Sequence, residues 1–308
     1  MTIVTLAGGV GAARFLEGLI RVVPQRKLTV IGNVGDDIEM HGLHVSPDLD
    51  IVTYTLAGIV DRAKGWGIRN DTFTCQEAMR KFGYETWFNI GDKDYATHLY
   101  RTEQLRKGRS LSEITDELVK KLGLQIHLLP STDDFFQTHV ISNGRKMHFQ
   151  EYMVRLQTKP KVQQITFLGS RSARPAREVL QSIQQGRGII VSPSNPIVSI
   201  GAILAVPQIR TALRKTESRI VGISPIIGGK TIKGPADKLM KSLGFKPSVV
   251  GVAEFYQEFL DTLIIDRVDE DLAKRVEKLG IKAVVTNTIM KTLSDKISLA
   301  QTTVRELE

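Results

Sequence analysis

Four aspartates that lie close together along the chain carry a clear chemical signal. Asp36 and Asp37 follow a short apolar run, and Asp48 and Asp50 come soon after them. Clustered carboxylate oxygens are the ligands that divalent cations such as Mg²⁺ prefer in proteins. A glycine turn over residues 8–11 precedes this acidic segment, and a glycine turn that opens a helix is a typical phosphate site. Together the two features predict metal-assisted phosphoryl chemistry.

The glycine turn follows a predicted buried strand and precedes an apolar stripe with helical spacing. The dinucleotide-binding fingerprint requires glycine or alanine where this chain has Arg14, which disfavours an NAD-dependent dehydrogenase. The phosphate-binding loop of nucleoside triphosphatases is not matched either, because residues 12–14 lack its Gly-Lys-Ser/Thr ending. The turn is therefore either an unusual phosphate site, to which the Arg14 guanidinium would contribute, or a tight strand-to-helix turn without a ligand.

Strand-like apolar runs alternate with helical segments along most of the chain. This alternation predicts a doubly wound α/β fold with a mostly parallel, Rossmann-like sheet, in a single domain over residues 1–308. Residues 86–90 and 164–168 are among the strands predicted for that sheet. The dipeptide Asn143-Gly144 between two alternating runs predicts a β-hairpin. We therefore expect a small β-rich insertion at about residues 130–163.

Polar loops follow several of the predicted strands. In open α/β sheets ligands bind beyond the carboxyl ends of the strands, so these loops are expected to meet. The loops rich in Gly, Pro, Asn and Asp are residues 8–11, 33–37, 89–92, 193–196 and 225–237. Each has a plainer explanation alone, as a helix N-cap or as a surface turn with a solvated lysine. Their convergence on one edge favours a nucleotide diphosphate and a divalent cation as ligands.

Composition narrows the class of protein. The 308-residue chain has a formal net charge of +9, but its basic residues are scattered and aromatic residues make up only 6%. No basic run is interleaved with aromatic residues for base stacking, so we expect anionic small molecules rather than nucleic acid as partners. No segment approaches the roughly 20 apolar residues of a membrane span. A single cysteine, Cys75, fits a reducing, cytoplasmic location.

At these same loops the chain resembles the family of 2-phospho-L-lactate transferases, which build the archaeal deazaflavin coenzyme F-420. The matching segments are LAGGVGAARF at residues 6–15, NVGDD at 33–37, SPDLD at 46–50, SPSNP at 192–196, SPIIGGK at 224–230 and KGPAD at 233–237. They span nearly the full length in one order. This makes the resemblance far more specific than a single glycine turn.

The resemblance implies an archaeal protein and a specific reaction. The terminal ribityl hydroxyl of 7,8-didemethyl-8-hydroxy-5-deazariboflavin (Fo) attacks the phosphorus of lactyl-2-diphospho-5'-guanosine, a guanosine diphosphate-activated phospholactate. GMP leaves and phospholactyl-Fo forms, with Mg²⁺ assisting. Some relatives are thought to use a phosphoenolpyruvyl donor instead, and the sequence leaves both donors open.

The resemblance also implies roles for individual residues. Asp48 and Asp50 would orient the Fo hydroxyls, with one of them acting as the base, and Asp36 and Asp37 would bind the cation. Two further residues, Asn89 and Trp87, would contact Fo. The implied nucleotide and phosphate ligands are Gly9, Val10, Gly11, Arg14, Asn33, Ser194, Asn195, Gly228, Gly229 and Lys230.

An alternative interpretation is that the chain is a regulatory protein of the same superfamily. Bacterial regulatory proteins that bind nucleotide sugars share the glycine turn and the Asn-x-x-Asp-Asp loop. The presence of Asp48, Asp50 and Asn89 favours the enzyme. A regulator should prefer uridine nucleotides, whereas the transferase should prefer guanine nucleotides and bind Fo. Doubly wound enzymes often pair through exposed helices, and we expect a homodimer.

Overall fold

A computed structural model describes residues 2–308. Its strands are β1 (Ile3–Ala7), β2 (Leu28–Gly32), β3 (Ile38–Met40), β4 (Leu43–Val45), β5 (His127–Pro130), β6 (Gln137–Ser142), β7 (Arg145–His148), β8 (Gln164–Leu168), β9 (Gly188–Val191), β10 (Ile220–Ile223), β11 (Ile226–Ile227), β12 (Lys230–Thr231), β13 (Thr262–Asp266) and β14 (Lys282–Thr286). Its α-helices are α1 (Gly9–Val22), α2 (Pro47–Leu56), α3 (Thr74–Lys81), α4 (Asp92–Arg106), α5 (Leu111–Lys121), α6 (Val179–Gln185), α7 (Gly201–Ala205), α8 (Ile209–Lys215), α9 (Ala236–Ser242), α10 (Val249–Tyr256), α11 (Ala273–Glu277) and α12 (Leu293–Arg305).

Short helical turns lie between some of these elements. The 3₁₀ turns are Gln25–Lys27 and Arg267–Leu272, and the π turns are Glu151–Arg155 and Pro196–Ile200.

Seven parallel strands form the central sheet in the order β14-β13-β10-β9-β1-β2-β5. The chain runs outwards from β1 through β2 to β5. It then returns to β9 on the other side of β1 and runs outwards through β10 and β13 to β14. The predicted doubly wound fold is confirmed. The direction reverses between β1 and β9, and this switch point is where open α/β sheets bind ligands.

The first βα unit shows how the sequence builds this sheet. All five residues of β1 are buried, as expected for a strand covered on both faces. Helix α1 buries the stripe Phe15, Leu16 and Leu19 and packs against α2 and α12. A buried ion pair joins Glu17 of α1 to Lys296 of α12, with 2.5 Å between Oε2 and Nζ. Helix α1, which starts at the glycine turn, is therefore packed between α2 and α12 and is also joined to α12 by the ion pair.

The insertion is a three-stranded antiparallel sheet in the order β7-β6-β8. Its hairpin turns at Asn143 and Gly144, both with positive φ, as the Asn-Gly dipeptide predicts. The prediction that residues 164–168 belong to the main sheet is wrong. They form β8, where Gln164 pairs with Ile141 and Leu168 with Gln137, so the small sheet extends beyond the predicted boundary at residue 163.

The predicted strand over residues 86–90 is also wrong, since this segment has no regular secondary structure. It connects α3 to α4. Its apolar side chains pack in a small separate cluster with the β3–β4 hairpin, centred on Met40, Val45 and Ile90. The apolar run that looked like a strand is thus explained by burial outside the sheet.

No single helix within residues 2–308 is long and apolar enough to cross a membrane. The helical pair Pro196–Ala205 and Ile209–Lys215 passes on length and composition alone, but it is bent by 88°.

A candidate active site at the switch point of the sheet

An open cavity of about 310 Å³ lies beyond the carboxyl ends of β1 and β9. Its walls are the glycine turn after β1, the loop after β9, the segments after β10 and β14, and part of the insertion. Two of the four aspartates, Asp36 and Asp48, line it. The predicted nucleotide ligands that also line it are Gly9, Val10, Gly11, Arg14, Ser194 and Asn195.

Neighbouring groups of the protein leave no room for a side chain at positions 8 and 11 of the turn. A Cβ on Gly8 would lie 2.8 Å from Oδ2 of Asp48, and a Cβ on Gly11 would lie 2.2 Å from the carbonyl oxygen of Pro193. Gly9 has a φ of +71°, which favours glycine. The turn is thereby locked against α2 on one side and the β9 loop on the other, where the Gly8 N–H donates to Oγ of Ser194 at 3.3 Å.

Helix α1 opens onto this cavity without a side-chain cap or an acidic residue in its first turn. The first N–H groups of a helix have no partner within it and carry the positive end of the helix dipole. The Gly9 amide acts to lower the pKa of the neighbouring Asp48, and the next amides of the turn are candidate phosphate ligands.

Asp36 and Asp48 form a buried carboxyl pair beside the turn, joined by Asn33. Nδ2 of Asn33 donates to Oδ2 of Asp48 at 2.8 Å and to Oδ1 of Asp36 at 3.3 Å. Nε2 of Gln150, from the insertion, donates to the other oxygen of Asp36 at 2.8 Å. Asp36 and Asp48 are 6% exposed each, so both carboxyls are largely removed from water.

Burial and the charges of neighbouring carboxylates raise the pKa values of this pair. Burial raises the pKa of Asp48 to about 7, with the hydrogen bond from Asn33 acting in the opposite direction. Burial, and then the charge of Asp48, raises the pKa of Asp36 well above its usual range. Two buried carboxyls with raised pKa values disfavour a double negative charge, which a bound cation or a shared proton would relieve.

Asp37 lies behind the pair and not on the cavity wall. Its Oδ2 accepts hydrogen bonds from Nε2 of His44 at 2.9 Å and from Oγ of Ser46 at 2.7 Å. Its Oδ1 is buried and has no hydrogen-bond partner within the described residues. Burial raises the pKa of Asp37. The structure thus puts Asp48, rather than Asp37, beside Asp36.

Asp50 points away from the cavity into a buried ionic cluster with helix α4. It binds the guanidinium of Arg101, with 3.0 Å between Oδ2 and Nη1, and Nδ1 of His98 lies 3.7 Å from Oδ2. His98 also contacts Asp94, whose Oδ1 accepts a hydrogen bond from the Tyr54 hydroxyl. This placement favours a role for Asp50 in holding α2, and it leaves Asp48 as the catalytic candidate.

Three cations on the cavity wall lack a carboxylate partner within residues 2–308, and they are Arg14, Lys233 and Lys291. Within the described residues, none of their side-chain nitrogens lies within 4.0 Å of a carboxylate oxygen. Partial burial, and then the neighbouring charge of Arg14, lowers the pKa of Lys233. Like charges placed together without a counter-ion favour a bound anion. Lys233 belongs to the segment KGPAD but was not among the predicted ligands.

The insertion supplies groups that could not be predicted from the sequence. Phe149 and Met153 line the cavity, and Gln150 between them binds Asp36. These residues lie at and just before the π turn that follows β7. A hairpin can be predicted from Asn143-Gly144, but no sequence signal shows which later residues reach back to the sheet.

The remaining predicted ligands lie off the cavity wall. Asn33 is fully buried behind it. Gly228 and Gly229 form the turn between β11 and β12, where the Gly228 N–H donates to Oδ2 of Asp269 at 3.0 Å. The other three, on or near the surface elsewhere, are Lys230, Asn89 and Trp87. Trp87 packs beside the β3–β4 hairpin, so the structure does not bring it to the predicted Fo site.

The arrangement suits phosphoryl transfer. Open helix amides and cations without a carboxylate partner can neutralise phosphates, and a buried carboxyl pair lies beside the same helix N-terminus. Within residues 2–308 no three His, Cys, Asp or Glu side chains form a ready-made metal site. Mg²⁺ is commonly held by one or two carboxylates together with substrate phosphates, and the pair Asp36 and Asp48 fits that pattern.

Comparison with known proteins agrees with this chemistry. The family model described as 2-phospho-L-lactate transferase CofD matches residues 3–303. A phosphoenolpyruvate transferase from Kitasatospora aureofaciens is 42% identical over 309 residues, which cover 98% of this chain and 96% of that protein. A 2-phospho-L-lactate transferase from Methanococcoides burtonii is 38% identical over 290 residues, which cover 94% of each.

Solved structures extend the comparison to the fold. A protein of the UPF0052 family from Bacillus halodurans superposes with a TM-score of 0.65 over 98% of both chains, at 15% identity. Relatives also include a phosphoenolpyruvate transferase from Streptomyces coelicolor at 41% identity, so the expectation of an archaeal protein is not supported. The chain belongs to the 2-phospho-L-lactate transferase (CofD) family, the transferases of coenzyme F-420 biosynthesis.

Proposed function

We propose that this protein transfers a phosphorylated three-carbon acid from a guanosine diphosphate-activated donor to the terminal ribityl hydroxyl of Fo, with release of GMP. The observation that carries the proposal is the position of the Asp36–Asp48 carboxyl pair. It lies beside a helix N-terminus and lines the same cavity as cations that have no carboxylate partner within residues 2–308, at the switch point of the sheet. Family membership supplies the class of donor and acceptor.

The donor phosphates occupy the positive side of the cavity. The amides at the start of α1 and the Arg14 guanidinium neutralise them, which lowers the barrier for attack on phosphorus. Lys233 contributes to binding of the donor. Ser194 and Asn195 on the β9 loop position the nucleotide. Holding the donor and the Fo hydroxyl together contributes most of the catalysis in such a transfer, since no covalent enzyme intermediate is needed.

Asp48 accepts the proton of the attacking Fo hydroxyl. Its pKa of about 7 matches the requirement for a general base that works near neutral pH. The proton moves from the hydroxyl to the carboxylate as the new oxygen–phosphorus bond forms. The bond from phosphorus to the GMP oxygen breaks, and GMP leaves with that oxygen.

We further propose that Mg²⁺ is the cofactor and that Asp36 would hold it together with the donor phosphates, which leaves Asp48 free to accept the proton. The buried pair fits a cation, because burial and the neighbouring carboxylate charges disfavour two negative charges there. When bound, Mg²⁺ would stabilise the charge that develops on the phosphate oxygens. The buried Oδ1 of Asp37, which lacks a hydrogen-bond partner, adds negative charge behind the pair.

The donor carries one of two three-carbon acids. We propose the phospholactyl donor, in line with the description of the family. The higher identity to proteins named phosphoenolpyruvate transferase, 42% against 38%, favours a phosphoenolpyruvyl donor as a second candidate. The two acids differ only at C2, which bears the ester oxygen, and at the neighbouring C3. Apolar groups on the cavity wall, Phe149 and Met153 among them, would meet that difference.

A fluorescence titration with Fo, with and without GDP and Mg²⁺, tests the acceptor. Saturable binding at micromolar Fo that GDP modulates is the expected result. The two guanosine donors are then supplied in competition, and the masses of the Fo products give their ratio of kcat/KM. Binding of a uridine nucleotide sugar without binding of Fo would contradict the proposal and indicate a regulatory protein.

A further inference from the structure

We infer that Asn33 is a positioning residue that acts through the Asp36–Asp48 carboxyl pair and does not contact the nucleotide. The inference rests on the proposed function, because it concerns the pair to which that proposal assigns the cation and the proton. It differs from the role implied by the family resemblance, in which Asn33 binds the guanosine side.

The Asn33 side chain has no access to the cavity. Its exposed fraction is 0%, and it is not among the groups on the cavity wall. Its backbone N–H donates to the carbonyl oxygen of Ala7, the last residue of β1, at 3.0 Å, which continues the pairing with β1 one residue beyond the end of β2. The residue is therefore fixed directly beneath the glycine turn.

The orientation of the Asn33 amide follows from its contacts. The backbone N–H of Gly35 donates to the amide oxygen Oδ1 at 2.8 Å. Because a backbone N–H needs an acceptor, the oxygen must face Gly35 and the NH₂ group must face the other way. Nδ2 there has three acceptors: Asp48 at 2.8 Å, Asp36 at 3.3 Å and the carbonyl oxygen of Val198 at 3.3 Å.

Gly35 makes this orientation difficult to change. A Cβ at position 35 would lie 2.5 Å from Oγ1 of Thr138, on the insertion sheet, and 3.0 Å from Oδ1 of Asn33. The backbone N–H of Thr138 also donates to the carbonyl oxygen of Gly35 at 2.6 Å. The insertion thus backs the loop that holds Asn33, which connects an apparently peripheral sheet to the carboxyl pair.

Asn33 fixes the relative orientation of the two carboxyl groups. Two buried carboxylates repel each other, and a donor between them keeps one oxygen of each pointing at the same NH₂ group. With that donor removed, the carboxyls have less to hold them in one arrangement. Groups that orient metal ligands in this way typically change metal affinity by about 10- to 100-fold when they are removed.

The test measures cation binding and nucleotide binding separately. Mn²⁺ binding, read by electron paramagnetic resonance, and GDP binding without any cation, read by calorimetry, are compared for the wild type, Asn33→Ala and Lys233→Met. We expect Asn33→Ala to weaken Mn²⁺ binding by at least about 10-fold and to change GDP affinity by less than about threefold. Lys233→Met should show the opposite pattern, because it removes a charge from the phosphate side.

A second variant covers the case in which Asn33→Ala does not fold. Asn33→Ser keeps a small donor at the same position, and it should retain part of the Mn²⁺ affinity. A loss of GDP affinity with unchanged Mn²⁺ binding in either variant would overturn the inference, as would a wild type that binds no Mn²⁺. Failure of the wild type to transfer anything to Fo would contradict the proposed function alone, since neither binding measurement requires Fo.

Discussion

Arg101 of α4 binds both carboxylate oxygens of Asp50 on the first turn of α2, through its two terminal guanidinium nitrogens. Both side chains are buried. Asp48, two residues earlier in the same turn, faces Asn33 and the glycine turn instead. One turn of helix thus carries an anchoring carboxylate on one side and a cavity carboxylate on the other. The two aspartates should therefore respond differently to substitution.

We expect Asp50→Ala to reduce stability rather than to remove a catalytic group. It leaves the Arg101 guanidinium buried without its partner, and breaking a buried pair in this way costs about 3–5 kcal/mol. Asp48→Asn should stay folded, since the new amide oxygen still accepts from Asn33, but should lose transfer by about 100-fold or more. Urea unfolding and product formation per folded molecule separate the two effects.

The double variant Asp50→Leu, Arg101→Met is the control for this prediction. It removes both charges together, so it should recover much of the stability that Asp50→Ala loses. A fully stable Asp50→Ala protein that binds GDP but does not transfer would show that Asp50 acts in catalysis after all.

The stability of the cation-free protein should fall as the pH rises from about 4 to about 7. The pKa of Asp48 is raised to about 7 in the folded state, against an ordinary value of 3.8. The folded state therefore binds the proton more tightly than the unfolded state does. The resulting stabilisation is complete below about pH 4 and is lost as the pH rises through 7. Burial of Asp36 acts in the same direction.

Melting temperatures between pH 4 and pH 8 in a chelating buffer measure this slope. Asp48→Asn should flatten it, and Mg²⁺ with GDP should raise the melting temperature most at the alkaline end. A melting temperature that rises with pH across this range in the wild type and in Asp48→Asn alike would contradict the assignment.

Lys233→Met should weaken donor binding with little effect on kcat. A hydrogen bond to a charged group contributes about 1.5–3 kcal/mol, which corresponds to an increase of about 10- to 100-fold in the KM for the donor. Steady-state kinetics with varied donor at saturating Fo give the two constants. Lys241→Met, on the exposed face of α9, is the matched control and should change neither. An unchanged KM in Lys233→Met would show that this cation does not contact the donor.

Gly11→Ala should disrupt the nucleotide side of the cavity. The added Cβ would meet the carbonyl oxygen of Pro193 at 2.2 Å, so the β9 loop with Ser194 and Asn195 must move. We expect GDP affinity to fall at least about 10-fold, the effect of losing about 1.4 kcal/mol. Gly108→Ala is the control, because it has a positive φ but open space around its Cβ. It should cost about 1–2 kcal/mol of stability without changing GDP affinity.

Much of the fold could be predicted because local patterns determine it. The buried strand, glycine turn and apolar stripe of residues 2–23 form β1 and α1, and the Ser110 capping box begins α5 as its spacing indicates. Residues 86–90 and 164–168 were assigned wrongly because an apolar run does not show what covers it. One packs in a separate cluster, and the other pairs in the small sheet.

The site could be predicted only as a set of loops. The position of Asp48 within its helical turn looks equivalent to that of Asp50, and only the partner residues Asn33 and Arg101 separate them. These partners lie 15 and 51 residues away in sequence. Gln150 belongs to the insertion and reaches Asp36 across 114 residues. Such contacts depend on the complete tertiary structure and cannot be predicted from local sequence patterns.

The pairing of β1 with β9 brings together residues about 185 positions apart, and the Gly8–Ser194 contact closes the cavity across 186. Contacts of such long sequence separation form slowly, because a large loop must close before they stabilise anything. The first half of the chain can build β1, β2 and their helices, yet it holds only half of the nucleotide site. During refolding, helical signal should therefore recover before GDP binding does, and a ribosome must release β9 before the enzyme can recognise its substrate.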